Sequence, residues 1–114
     1  MSGFNYLETL AGTGENCAAG SPVSAHYHGT LLDGTVFDSS VTRGDPLKFT
    51  VGVGQVIKCW DEGITMMKVG GKATLTCPPD MAYGSQGAGG VIGPNATLKF
   101  DVELISCGPT RADL

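Results

Sequence analysis

His26 and His28 stand two residues apart. On a strand that spacing turns both imidazoles to one face, where they could begin a metal site, but no third ligand has a fixed place beside them. A hydrogen-bonded histidine pair without metal is the expectation, and no metal or cofactor is called for. Asp38, in Phe37-Asp38-Ser39-Ser40, reads as an Asx-type cap on a turn if it has no functional role. Cys17, Cys59, Cys77 and Cys107 show no C-x-x-C spacing, so neither a zinc knuckle nor a redox motif is present. Two disulfides would need an oxidising compartment, and free thiols are expected. Gly52-Val53-Gly54 is half of a dinucleotide-binding glycine motif without its third glycine, and reads as a turn. There is no G-x-S-x-G elbow and no P-loop. The remaining candidates are apolar: Tyr27, Phe37, Phe49, Val56, Ile57, Trp60, Tyr83, Ile92 and Phe100. They form either the core of a small domain or an apolar pocket with a few polar groups at its rim. Periodicity alone does not separate the two.

The elements that must position these groups are mostly strands. Thr97 to Leu104 alternates without a miss, which turns Leu98, Phe100, Val102 and Leu104 inward and Lys99, Asp101 and Glu103 to water. Lys72 to Cys77 alternates likewise and stops at Pro78-Pro79. Val23 to Leu31 is a third strand, followed by an Asp33-Gly34 hairpin turn into Val36-Phe37. Leu47 to Val51 is a fourth, and Phe4 to Leu10 supplies one more. A single helix is expected over Val56 to Met67, with Ile57, Trp60, Ile64 and Met67 on one stripe and Gly63 as its weak point. The fold class is therefore α+β: an antiparallel sheet of five to six strands laid over one short helix. The longest stretch without periodicity, Asp80 to Asn95, carries Tyr83, Val91 and Ile92, and a loop of that length in a small domain points to function. The tail from Gly108 to Leu114 is expected to fray.

Length and charge exclude other classes. The chain has 114 residues, which fit one domain spanning 1–114. Its 18 glycines, against roughly 8 from average usage, favour short strands and tight turns. Seven Lys plus Arg against 11 Asp plus Glu give a net charge of −4, and no basic face exists for nucleic acid. No stretch is long and apolar enough to cross a membrane, and Met1 to Asn5 lacks the pattern of a signal peptide. A cytoplasmic protein is the expectation.

In order along the chain, six segments carry a resemblance: His26-Tyr27-His28-Gly29; Asp33-Gly34-Thr35-Val36-Phe37-Asp38-Ser39-Ser40; Val56-Ile57-Lys58-Cys59-Trp60-Asp61-Glu62-Gly63; Met67-Lys68-Val69-Gly70-Gly71-Lys72; Ala82-Tyr83-Gly84; and Ala96 to Leu104. Together they resemble the FKBP family, the immunophilins that catalyse peptidyl-prolyl cis–trans isomerisation and bind tacrolimus and rapamycin. The similarity runs from about Tyr6 to Ser106, and the ordered set is specific where any one segment is weak.

The resemblance implies a curved half-barrel sheet wrapped around the helix, with a prolyl pocket between them. It implies Trp60 as the pocket floor and Tyr27, Phe37, Phe49, Val56, Ile57, Phe100 and Ile92 as walls, with Leu47 and Gln55 also in contact with substrate. The Ile57 N–H and the Tyr83 hydroxyl would donate to ligand carbonyls, and Asp38 would accept at the rim. Asp38 and Tyr83 are thus the expected catalytic pair. Leu47 stands where relatives place an aromatic, Cys59 where they place Gly, and Gly93 where a Pro is frequent, which implies a looser rim. Implied partners are proline-containing peptides and proteins, the two macrolides, and a phosphatase or kinase when drug is bound; a monomer is the family pattern. The competing reading is a proline-docking module or scaffold with incidental turnover, and a third is redox regulation through Cys59.

Overall fold

The computed structural model describes residues 4–108. Six strands form one antiparallel sheet: β1 (Asn5–Leu10), β2 (Pro22–Leu31), β3 (Val36–Ser39), β4 (Leu47–Thr50), β5 (Lys72–Cys77) and β6 (Leu98–Cys107). Their order is β1-β5-β6-β2-β3, and β4 pairs with the first part of β2. The long partners β2 and β6 form the spine, in register from Val23↔Cys107 to Leu31↔Leu98 with one irregularity at Ser24/Ala25. A curved face follows from this pairing, because β3 and β4 share the same side of β2 at different heights.

Alternation decides which residues face inward. On β6, Leu98, Phe100, Val102 and Leu104 are buried while Lys99 and Asp101 are exposed. On β2, Val23, Ala25, Tyr27 and Gly29 are buried and the intervening residues only half so. The fold class read from the sequence stands, and the strand limits shift by a few residues.

The helix is shorter than its apolar stripe. It spans Lys58–Ile64 (α2), seven residues, with Ile57 at its N-cap in an extended conformation and without a side-chain cap. Val56 and Ile57 lie in the preceding loop. At the other end the Thr65 hydroxyl donates to the Glu62 carbonyl at 2.8 Å, a local bond that competes with continuing the helix. Trp60, Ile64 and Met67 are nevertheless all buried, so the stripe works as a packing surface beyond the helix itself. Gly63 has a use that helix propensity misses. A Cβ there would stand 2.8 Å from Leu75 Cδ1 on β5, and its absence lets helix and sheet approach.

Two short elements were not expected from periodicity. One turn of helix, α1 (Ser40–Arg43), follows β3, and a 3-10 turn covers Pro79–Met81. The N-cap of α1 is Ser39, whose hydroxyl accepts from the Thr42 N–H. Asp38 is therefore not the cap, because the adjacent serine holds the capping position and frees the carboxylate for the pocket side.

The expectation of free thiols is overturned. Cys17 is bonded to Cys107 and Cys59 to Cys77, with Cα–Cα distances of 5.9 and 5.7 Å, and no described cysteine is free. Even scatter along the chain concealed the pairs, since sheet register and helix packing bring distant positions together. The frayed tail expected from Gly108 falls, beyond Gly108 itself, outside the described residues.

Candidate active site

Strands build one wall of a cavity of about 380 Å³ between α2 and the concave face of the sheet. Tyr27 from β2, Phe37 from β3 and Phe100 from β6 line it because adjacent strands in this register place them on one face. Gly29 makes this wall possible. A Cβ at that position would stand 2.6 Å from Phe37 Cζ and 3.1 Å from Phe100 Cε1, so the two rings close over bare backbone.

Trp60, 4% exposed, lies at the base of the cavity. Its ring meets Tyr27 at 4.9 Å and Phe100 at 5.1 Å between centroids, both edge-on, and Phe100 meets Phe37 at 5.5 Å in the same manner. Edge-to-face contacts of this kind fix ring orientation beyond what area burial does. The indole Nε1–H is buried and finds no hydrogen-bond partner among the described residues. Loops complete the enclosure: Gln55, Val56 and Ile57 from the segment before α2, and Tyr83 from the long loop after β5. Leu47, at the start of β4, closes the remaining side.

A polar network sits on the rim. The Tyr27 hydroxyl donates to Asp38 Oδ2 at 2.5 Å, and Arg43 donates to Asp38 Oδ1 at 2.5 Å and to the Tyr27 hydroxyl at 3.0 Å. The guanidinium carbon also lies 5.7 Å from the Tyr27 ring centroid. Partial burial raises the Asp38 carboxyl, but the Tyr27 and Arg43 hydrogen bonds and the guanidinium charge outweigh it, leaving Asp38 below its ordinary value. Burial, followed by the hydrogen bond to Asp38, raises Tyr27. Tyr27 is therefore a neutral donor and Asp38 an ionised acceptor at neutral pH.

Ten of the twelve site residues expected from the sequence line this one cavity. Phe49 and Ile92 do not. Phe49 packs against the core with its ring 5.8 Å from Trp60, and Ile92 is itself a buried core residue, its loop pairing it with Ala88 through two backbone hydrogen bonds. Tyr83 is 41% exposed, and its hydroxyl makes no hydrogen bond to a described residue. The Ile57 N–H likewise has no acceptor among the described residues. Sequence reasoning missed Arg43. Its place beside Asp38 depends on the α1 turn, which carries no apolar periodicity, and the one available signal is a lone cation five residues after the carboxylate.

The histidines lie on the opposite face. His26 Nδ1 pairs with the Ser40 hydroxyl at 2.8 Å and His28 Nδ1 with the Ser39 hydroxyl at 3.0 Å. They belong to the junction of β2 with α1, not to the cavity.

Comparison with known proteins agrees with the geometry. Residues 14–105 match the family model described as FKBP-type peptidyl-prolyl cis-trans isomerase. The chain is 59% identical over 95 residues to "FK506-binding protein 1" of Dictyostelium discoideum, covering 83% of this chain and 89% of that one. It is 52% identical over 105 residues to the "FK506-binding protein" of Neisseria meningitidis serogroup B, covering 92% and 96%. Among solved structures, that of AtFKBP13 superposes with a TM-score of 0.86 at 43% identity, over 91% of this chain and 92% of the other. An aromatic cavity between helix and curved sheet, a matched family model and relatives more than half identical lead to one conclusion: the chain belongs to the FKBP-type peptidyl-prolyl cis-trans isomerases.

Proposed function

We propose that the cavity over Trp60 is the prolyl site, in which an X–Pro amide of a peptide or folding protein rotates between cis and trans. Rotation is slow because amide resonance must be lost at a barrier of roughly 18–20 kcal/mol. The reaction breaks no bond, so it needs no nucleophile and no acid–base pair, only surroundings that favour the twisted amide over the planar one. The observation that carries the reading is an aromatic cavity whose loop wall carries two donors without an acceptor among the described residues, the Ile57 N–H and the Tyr83 hydroxyl. Apolar walls strip water from the polar planar amide, the two donors hold carbonyls on either side of proline, and Asp38 stays ionised on the rim. Lowering the barrier by about 7 kcal/mol would accelerate exchange roughly 10⁵-fold.

The same cavity supports binding of tacrolimus and rapamycin, since its volume lies in the range of small-molecule sites. The long loop after β5 exposes Val91, and with drug bound in the cavity of a monomeric protein it offers an apolar contact to a phosphatase or kinase. The expectation of a cytoplasmic setting rests on the pattern of Met1 to Asn5 and on the lack of a membrane-length apolar stretch, and free thiols are its consequence; the two disulfides overturn that consequence. They favour an oxidising compartment.

A protease-coupled assay on an X–Pro peptide tests the site. We expect exchange far faster than the uncatalysed tens to hundreds of seconds, with rapamycin abolishing the acceleration. Turnover that persists in saturating rapamycin would place catalysis elsewhere. A rapamycin complex with no turnover at all would favour the docking module.

A further inference from the structure

Gln55, Val56 and Ile57 form the loop wall of the cavity, yet no ladder of strand hydrogen bonds holds them. The loop leaves β4 at Val51, which is fully buried and bonded to the neighbouring turn through Gly20 N–H to Val51 O at 2.8 Å and Val51 N–H to Ser21 O at 3.0 Å. It ends at Ile57, where α2 begins. Between these points it turns through Gly52 and Gly54, at φ of +81° and +83°. Both glycines direct their N–H groups to one side chain. Asp61 Oδ1 accepts from Gly52 at 2.7 Å and Oδ2 accepts from Gly54 at 2.9 Å.

We propose that Asp61 is a positioning residue for isomerisation, a two-oxygen clamp that sets the loop wall against the pocket floor. The inference rests on the reading of the cavity as the prolyl site. Asp61 follows Trp60 directly and lies in the first turn of α2, so the clamp on the wall starts from the same helical turn that carries the floor. Each carboxylate oxygen serves a different N–H, and hydrogen bonds to an ionised acceptor are roughly twice as strong as neutral ones. A second, weaker tie acts in parallel: the Gln55 Oε1 accepts from the Thr50 N–H at 2.9 Å. Gln55, unlike Asp61, belongs to the loop itself and cannot fix it relative to α2. Release of the clamp would leave the Ile57 N–H free to wander from the carbonyl it must hold. A displacement of about 1 Å in a positioning group can cost up to 10²-fold in rate.

Asp61→Ala, Asp61→Asn and Asp61→Glu separate the possibilities. Ala removes both acceptors, Asn sets an NH₂ against one of the glycine N–H groups, and Glu keeps two oxygens on a longer stem. We expect kcat/KM for an X–Pro peptide to fall roughly tenfold or more in the Ala variant, mainly through KM, with Asn intermediate and Glu regaining most of the loss. Hydrogen exchange read in the same samples should accelerate at Gly52 and Gly54 while β5 and β6 stay protected. If the Ala variant does not fold, the Asn and Glu pair carries the comparison. Activity of every variant within twofold of the parent overturns the proposal. So does exchange that accelerates evenly across the sheet, or a Glu variant as impaired as Ala. Trp60→Leu, run alongside, distinguishes the underlying reading: unchanged turnover in that variant would mean the cavity is not the prolyl site, whatever Asp61 does.

Discussion

Tyr27, Phe37 and Phe100 stand on strands whose register holds them together, whereas Gln55, Val56, Ile57 and Tyr83 hang on loops at the opposite side of the same cavity. The strand wall is closed by ring-on-ring contacts and by a glycine that leaves room for them. The loop wall is open to water, and individual side-chain acceptors hold it in place. Among the described residues, the loop wall presents two uncommitted donors, the Ile57 N–H and the Tyr83 hydroxyl, and the floor presents the Trp60 Nε1–H. One half of the pocket thus supplies a fixed dry surface and the other supplies polar reach, a division that suits an amide which must rotate while its flanking carbonyls stay held.

The disulfides give the largest expected effects, and they fall on different parts of this division. Cys17–Cys107 ties the end of β6 to the segment before β2, closing a loop of sequence separation 90, and touches neither wall. Its replacement by an alanine pair should lower stability by about 4–5 kcal/mol and leave kcat/KM of the folded protein unchanged. Cys59–Cys77, with a separation of 18, fastens α2 to β5 immediately beside Trp60. An alanine pair there should cost less stability, about 3 kcal/mol, yet reduce kcat/KM, because the floor shifts relative to both walls. Urea titration and peptide turnover on the two double variants check the crossed pattern. Equal retention of activity in both would show that packing alone seats the floor.

Glycine substitutions separate the walls by mechanism. Gly29→Ala should crowd Phe37 against Phe100 and cost about 1–3 kcal/mol, with rapamycin affinity falling as Phe37 turns into the cavity. Gly54→Ala meets no atom within 4 Å, but its φ of +83° is unfavourable to a side chain, at a cost of about 1–2 kcal/mol. Thermal midpoints and binding isotherms on the pair compare crowding with backbone strain. A Gly29→Ala protein that binds rapamycin as tightly as its parent would show that the strand wall yields more readily than its packing implies.

This division also explains what was legible in the chain. Leu98, Phe100, Val102 and Leu104 alternate, and alternation on a sheet is a direct consequence of the pleat, so the strand wall could be read from residue types. Tyr83 shows no period of its own, Ile57 shows only the stripe of a helix that begins one residue after it, and the donor roles of both came from resemblance. Arg43 and Asp61 were missed because their partners are set by a one-turn helix and by two backbone N–H groups, neither of which leaves an apolar pattern. The four cysteines read as free thiols because disulfides need an oxidising compartment that the residues do not advertise, and pairing such as that of Cys17 with Cys107 across 90 residues depends on three-dimensional register. Phe49 and Ile92 take their place in the wall from the resemblance alone, since residue type does not distinguish an apolar side chain that lines a pocket from one packed in the core beside it.

The smallest expected effect lies where the walls meet water. Tyr27 belongs to the strand wall, while Asp38 and Arg43 form the rim, with side chains 45% and 48% exposed. Solvent screens an ion pair so placed, and its contribution to stability is correspondingly slight. The Asp38 value is nevertheless lowered in the fold, and its sign fixes the pH dependence. A carboxyl with a depressed folded value contributes stability above its unfolded value, near 4, and loses it as pH falls through the folded one. Thermal stability and kcat/KM should therefore show no step from Asp38 between neutrality and about pH 5, with a decline only below about pH 4. Tyr27, raised in the fold, contributes in the opposite sense, its share present below about pH 10 and lost above. Arg43→Met removes the guanidinium that helps hold Asp38 down, so the acid limb should move toward the ordinary carboxylate range while neutral-pH turnover changes little. An acid limb that stays in place would assign the lowering to the Tyr27 hydroxyl, and the strand wall would then set the charge of the rim by itself.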